Sequence, residues 1–184
     1  YEDTVFVYRT PQPIITGRDT ICLNMTEPYA GSLAVSDTAT NWSWNLGNGQ
    51  SSNQPNVTVR YGATGSYTLQ LTATNLIGCS DTITKIIYVA PLPTVTPVND
   101  PITINAGGSA NVLMNYTGNI ISYIWTPSTR LSCTGCPGPA ANPQSTTEYS
   151  VQVTVQYDCR NTGDVTGVVV CNQQNFFVTN TFCP

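Results

Sequence analysis

The sequence predicts an all-β protein built from tandem antiparallel β-sandwiches. Three observations carry this expectation. Apolar and polar residues alternate over short runs, and Gly, Asn and Pro punctuate those runs about every ten residues. No stretch shows a convincing helical period. One pattern is also written twice, about 80 residues apart, and a fixed internal period means stacked modules of one design. At 184 residues the chain has room for two domains of about 80 to 100 residues each.

From the N-terminus, Thr4-Val5-Phe6-Val7-Tyr8 alternates as a half-buried strand does and runs into Thr10-Pro11-Gln12-Pro13. A second strand-like run precedes Ala90-Pro91-Leu92-Pro93 in the same phase. Pro-x-Pro favours an extended, semi-rigid connection, so each pair marks a boundary. Residues 1–11 therefore read as the last strand of a preceding module, 12–91 and 92–171 as two modules, and 172–184 as the start of a following one. On this reading the chain is a piece of a longer repeat protein.

Inside the first module, Asn56-Val57-Thr58-Val59-Arg60-Tyr61 and the run from Tyr67 to Ala73 alternate strictly. Trp44 and Tyr67 fall in the inward phase and are expected between two sheets. Gly47 and Gly49 flank Asn48 where a tight turn needs positive φ or a close backbone approach. Gly65 and Gly78 mark turns at the two ends of the Tyr67 strand. Trp42 covers a sheet edge on one reading and offers a platform for a sugar ring on another. The second module repeats the skeleton as Tyr123-Ile124-Trp125, then Tyr149 to Val155, then Asp158-Cys159, and Val168-Val169-Val170 reads as its closing strand.

Composition excludes several function classes. Only 9% of residues are charged, and Thr, Ser, Asn and Gln fill the polar positions. Arg9, Arg18, Arg60, Lys85, Arg130 and Arg160 form no cluster, and the net charge is −4, so no nucleic acid partner is expected. No apolar run reaches the roughly 18 residues of a membrane helix, so no direct membrane insertion is expected. The chain has no histidine, which removes the commonest general base and metal ligand. Its ten acids are scattered, and Gly107-Gly108-Ser109 is too short for a phosphate loop and has no helix after it. No catalytic residue, cofactor or metal site is expected, and the chain reads as a non-enzyme.

Seven cysteines indicate an oxidising compartment. A Cys22–Cys79 bridge would close a long loop and stabilise by about 4 kcal/mol in the chain-entropy model. Cys159 has Cys171 as its nearest candidate partner, which leaves Cys183 free or paired outside the segment. Cys133-x-x-Cys136 lacks the further ligands of a zinc site. Pro137, Pro139 and Pro143 forbid the helix a thioredoxin-type site needs. A local loop-closing disulfide remains.

The pattern W-x-W-x-x-G-x-G at Trp42–Gly49, followed by G-x-Y-x-x-x-L-x-x-x-N at Gly65–Asn75 and G-C-x-D-T at Gly78–Thr82, resembles the PKD domain. That resemblance covers residues 12–91 and implies an immunoglobulin-like sandwich. The family's two acidic turn positions are Asn45 and Asn48 here, which argues against a calcium site. Residues 92–171 resemble the divergent PKD-like type of Bacteroidetes surface proteins, on Ile124-Trp125-Thr126-Pro127, Leu131 to Pro137, Asn142-Pro143 and Thr146 to Tyr149. The tail from Phe177 to Pro184 resembles the start of a gliding-motility-type module of type IX secretion cargo. In that context Asp3-Thr4-Val5, Asp19-Thr20-Ile21, Asp37-Thr38-Ala39 and Asp81-Thr82-Ile83 look like O-glycosylation signals, at Thr4, Thr20, Thr38 and Thr82. The resemblance implies a structural or adhesive segment of an extracellular bacterial cell-surface protein, acting as a stiff stalk or fibre element. Its expected partners are other modules of the same protein, further copies forming a polymer, and surface polysaccharide. The rival reading is an accessory carbohydrate-binding or spacer module of a secreted glycanase or protease, with Trp42, Tyr29 and Tyr123 as exposed aromatics.

Overall fold

The computed structural model describes residues 9–34 and 39–170. The expected strand at Thr4–Tyr8 and the expected module start at 172–184 lie outside these residues. The chain divides into two compact units, Tyr1–Pro91 and Leu92–Pro184. The described residues are all-β apart from one 3₁₀ turn at Gln156–Asp158.

In the first unit two sheets face each other. One has the order β1-β3-β6, from β1 (Pro13–Thr16), β3 (Thr26–Leu33) and β6 (Asn56–Arg60). The other has the order β2-β8-β7-β4-β5, from β2 (Thr20–Cys22), β8 (Ser80–Ala90), β7 (Gly65–Asn75), β4 (Ala39–Asn45) and β5 (Ser51–Ser52). Strict alternation places Val57 and Val59 of β6, Leu69 and Leu71 of β7, and Ile87 and Val89 of β8 in one core with Trp44 and Tyr29. The chain changes sheets between β1 and β2 at Gly17, where a Cβ would run into the Tyr29 ring.

In the second unit, β10 (Ile102–Asn105), β16 (Arg160–Val170), β15 (Thr147–Thr154) and β13 (Ser122–Thr126) make a four-stranded sheet in that order. Opposite it, β9 (Val95–Pro97) pairs with β12 (Met114–Tyr116), and β11 (Ala110–Asn111) pairs with β14 (Ala140–Ala141). Trp125, Tyr149, Val151, Val153, Ile104 and Val165 fill its core.

Both units depart from a purely antiparallel sandwich in the same way. β2 runs parallel to β8, pairing Thr20 with Tyr88 and Cys22 with Ala90. β10 runs parallel to β16, pairing Ile102 with Gly167 and Asn105 with Val170. In each unit an early strand enters the large sheet from outside it and lies against that sheet's last strand. Its direction is set by that crossover. A hydrophobic alternation pattern carries no information about direction.

The structure also corrects the alignment of the two copies. Trp44 faces Leu71 across the ladder, and Trp125 faces Val151. The Asn75 N–H donates to the Cys79 oxygen at 2.9 Å, and the Val155 N–H donates to the Cys159 oxygen at 2.9 Å. Tyr149 therefore corresponds to Leu69 and not to Tyr67. A two-residue shift keeps every side chain on its own face, so alternation alone does not detect it.

Candidate functional site

The twice-written tryptophan has one structural job in both units. Trp44 is 1% exposed and Trp125 is 2% exposed. The Trp44 Nε1–H donates to the Gln54 oxygen at 2.9 Å, and the Trp125 Nε1–H donates to the Cys136 oxygen at 2.8 Å. Each indole thus fills the core and fastens the following loop, satisfying its one polar atom as a buried tryptophan must.

Beside Trp44, the turn has the expected backbone. Gly47 and Gly49 have φ of +73° and +86°. A Cβ on Gly47 would lie 2.7 Å from the Thr68 oxygen. Asn45 Oδ1 accepts from the Gly47 N–H and Asn48 Oδ1 from the Gln50 N–H, each at 3.0 Å. The two amides at the acidic positions of the motif are therefore engaged with the turn's own backbone.

The three candidate platform aromatics meet different fates. Trp42 lies opposite Ala73 and is half-buried, packed against the first unit's core. Tyr29 is 1% exposed, so it is no exposed platform. It sits on the inward side of β3, its hydroxyl donates to the Arg18 oxygen at 3.0 Å, and burial pushes its pKa well up. Tyr123 is half-buried, edge-on to Tyr116 at 5.3 Å between ring centroids. Burial, and then Tyr123, push the Tyr116 phenol up to about 12, and its hydroxyl donates to the Pro137 oxygen at 2.6 Å.

Cys133 and Cys136 form the local disulfide. Cys22 and Cys159 are disulfide-bonded, and Cys171 lies outside the described residues. Cys79 carries a free, half-buried thiol, so the expected Cys22–Cys79 bridge is not formed. The reason is geometric. Cys22 pairs with Ala90 at the end of β8, whereas Cys79 precedes the start of that strand. The strand is 11 residues long, which separates its ends by roughly 30 Å. A disulfide needs Cα atoms within about 7 Å.

Of the four Asp-Thr sites, Thr4 and Thr38 lie outside the described residues. Thr20 is half-buried on β2. Thr82 is exposed on β8, its Oγ1 lying 2.8 Å from the Thr72 Oγ1.

Sequence reasoning missed the outer face of the five-stranded sheet. Ladder register lines up Ser51, Asn45, Gln70 and Thr84 across four strands, with Ser43, Thr72 and Thr82 in the next row. The polar alternation was readable along each strand, but the order of strands in the sheet was not. A shallow cleft between β5 and β6 is likewise lined by Gln50, Ser52, Asn56 and Thr58 over Leu46 and Val57. These residues bring no titratable group to the cleft. Among the described residues no group of three or more Cys, Asp or Glu could hold a metal ion, and no helix is long and apolar enough to cross a membrane.

Comparison with curated proteins returns no match. Among solved structures, the chain is similar to the PKD1 domain of the Vibrio cholerae metalloprotease PrtV, at 28% identity over 44% of this chain and 98% of that one, with a TM-score of 0.39. It is similar to the PKD1 domain of Vibrio anguillarum Epp, at 23% identity over 45% of this chain and 99% of that one, with a TM-score of 0.38. It is also similar to fibronectin(III)-like modules of Clostridium thermocellum CbhA, at 11% identity over 91% of this chain and 100% of that one, with a TM-score of 0.43. The segment from β2 into β8, residues 20–88, matches the family model of the PKD domain.

Proposed function

We propose that the chain is a structural and adhesive segment of a secreted bacterial cell-surface repeat protein, working as a stiff stalk or fibre element. The observation that carries this reading is the parallel pairing of β2 with β8 and of β10 with β16. In each unit an early strand lies beside the closing strand and points the same way. Tension applied at the two ends of such a unit pulls these neighbours in opposite directions along their length. Their hydrogen bonds are then loaded in shear and break together, whereas a hairpin pulled from its open end unzips one bond at a time. In the first unit these bonds are flanked by the Tyr88 N–H donating to Asp19 O and the Leu23 N–H donating to Ala90 O, each at 2.8 Å.

The PKD match to residues 20–88 and the disulfides support an extracellular setting. Other modules of the same protein and further copies of the chain are the proposed partners. Origin in a Bacteroidetes surface protein exported by the type IX route rests on the motifs at 124–149 and 177–184. Thr82 is the described Asp-Thr site most accessible to a glycan, and peptide mass tests it directly.

Single-molecule stretching from both ends tests the mechanical reading. Two discrete unfolding events are expected with the disulfides reduced, because Cys22 and Cys159 are disulfide-bonded and an intact bond would hold its loop closed under tension. Leu23→Pro, which removes the N–H donated to Ala90, should lower the force of one event and spare the other. Smooth extension without discrete events would overturn the proposal.

A further inference from the structure

We infer that the outer face of the first unit's five-stranded sheet is a binding face for a neutral polysaccharide. The inference rests on the extracellular reading above and adds a ligand class and a location to it.

The argument starts from what the face offers. Asn45, Gln70 and Thr84 stand side by side across β4, β7 and β8, all exposed. Neighbours across the strands are about 4.8 Å apart, and rows along them recur at about 6.8 Å. Amides and hydroxyls both donate and accept, so the array makes hydrogen bonds of either sense at regular spacing. None of these positions carries a formal charge. The one lysine of β8, Lys85, is in register with core residue Leu69 on the opposite phase of the strand and is paired with Asp19.

The same face then changes character toward the end of β8. Ile86 is 67% exposed and Tyr88 is 43% exposed. They lie in register with Thr68 and Ser66, on the same side as Gln70 and Thr84. A half-exposed tyrosine beside a hydrogen-bonding array presents an apolar ring face with polar groups alongside. That combination matches a sugar ring, which has an apolar C–H face and a rim of hydroxyls. From Thr84 to Tyr88, clear of the proposed glycan site at Thr82, the array extends about 13 Å along the strand, enough for a few linked sugars, and the open sheet face imposes no pocket walls. An anionic polymer or lipid headgroup would require lysines or arginines here, and the array supplies none.

The test is retention of the whole chain, produced without glycosylation, on insoluble cellulose, on chitin and on an amylose resin. Retention on at least one matrix is expected, unchanged between low and high salt. Tyr88→Ala should weaken it about tenfold, a loss read directly from the depletion isotherm. The pair Gln70→Ala with Thr84→Ala should weaken it independently, with urea unfolding curves confirming that each variant is folded. Absence of retention on all three matrices would overturn the inference, as would retention abolished by salt or indifferent to both variants. Tyr88-dependent self-association without retention would assign the face to a second copy of the chain and equally overturn it. None of these outcomes bears on the stretching experiment, so the two proposals fail separately.

Discussion

Replacing Trp44 tests how much of the first unit hangs on one side chain. The indole is 1% exposed and belongs to the core cluster with Leu69, Leu71, Val59 and Ile87. Trp44→Ala removes the whole ring, and burial at this level makes the cost about 3–5 kcal/mol. Trp44→Phe keeps most of the apolar volume but removes the N–H donated to the Gln54 oxygen at 2.9 Å. Gln54 is exposed, so its carbonyl can recover water, and that share of the loss should be only about 1 kcal/mol. With a urea slope of about 2 kcal/mol/M, alanine should move the midpoint of the first unit by about 2 M and phenylalanine by well under half of that. Circular dichroism in urea reads the transition, and hydrogen exchange assigns it to β4, β6 and β7. The reasoning fails if alanine and phenylalanine cost the same, or if alanine costs under 1 kcal/mol.

Three further outcomes follow. Gly47→Ala should destabilise by about 1–3 kcal/mol in urea melts, because φ is +73° and the new Cβ meets the Thr68 oxygen at 2.7 Å. Gly49→Ala, with no atom within 4 Å of its Cβ, should cost less, and equal costs would remove the close approach from the argument. Cys79→Ser should leave the urea midpoint unchanged and remove one thiol from the titration of the folded chain, whereas replacing Cys133 and Cys136 together should cost about 2 kcal/mol through the opened loop. Burial raises the phenol pKa of Tyr29, Tyr61, Tyr116 and Tyr149 above the usual value of about 10. The folded state then holds its protons more tightly than the unfolded state. The resulting stability is fully present below about pH 10 and is lost as pH rises toward about 12, where Tyr116 titrates. Phenolate formation by these four should accompany unfolding, and ionisation of Tyr116 in a still-folded chain at about pH 10, read as the absorbance that Tyr116→Phe removes, would contradict it.

The cysteines show how far local pattern reaches. Cys133 and Cys136 were readable because the prolines around them leave only a local bridge, and the loop between them is too short for its closure to depend on the fold. Cys22 and Cys79 were misread as partners because their pairing depends on which end of β8 each one meets. That is a question of strand order and direction. The aromatics divide in the same way. Trp44 was placed correctly by alternation alone. Tyr29 was offered as a surface residue, yet β3 turns it inward between the sheets.

The sequence by itself determined the all-β class, the first unit's strands at Asn56–Arg60 and around Tyr67–Ala73, the Gly47–Gly49 turn and the buried Trp44, because each depends on a period of two or on backbone sterics within a few residues. Tertiary structure decided the parallel edges, the free thiol at Cys79, the two-residue shift between the copies and the uncharged array around Gln70. These depend on which strands lie side by side. Long-range pairing is selected by the burial of a whole sheet face, and single-strand alternation is the same for every partner a strand could take.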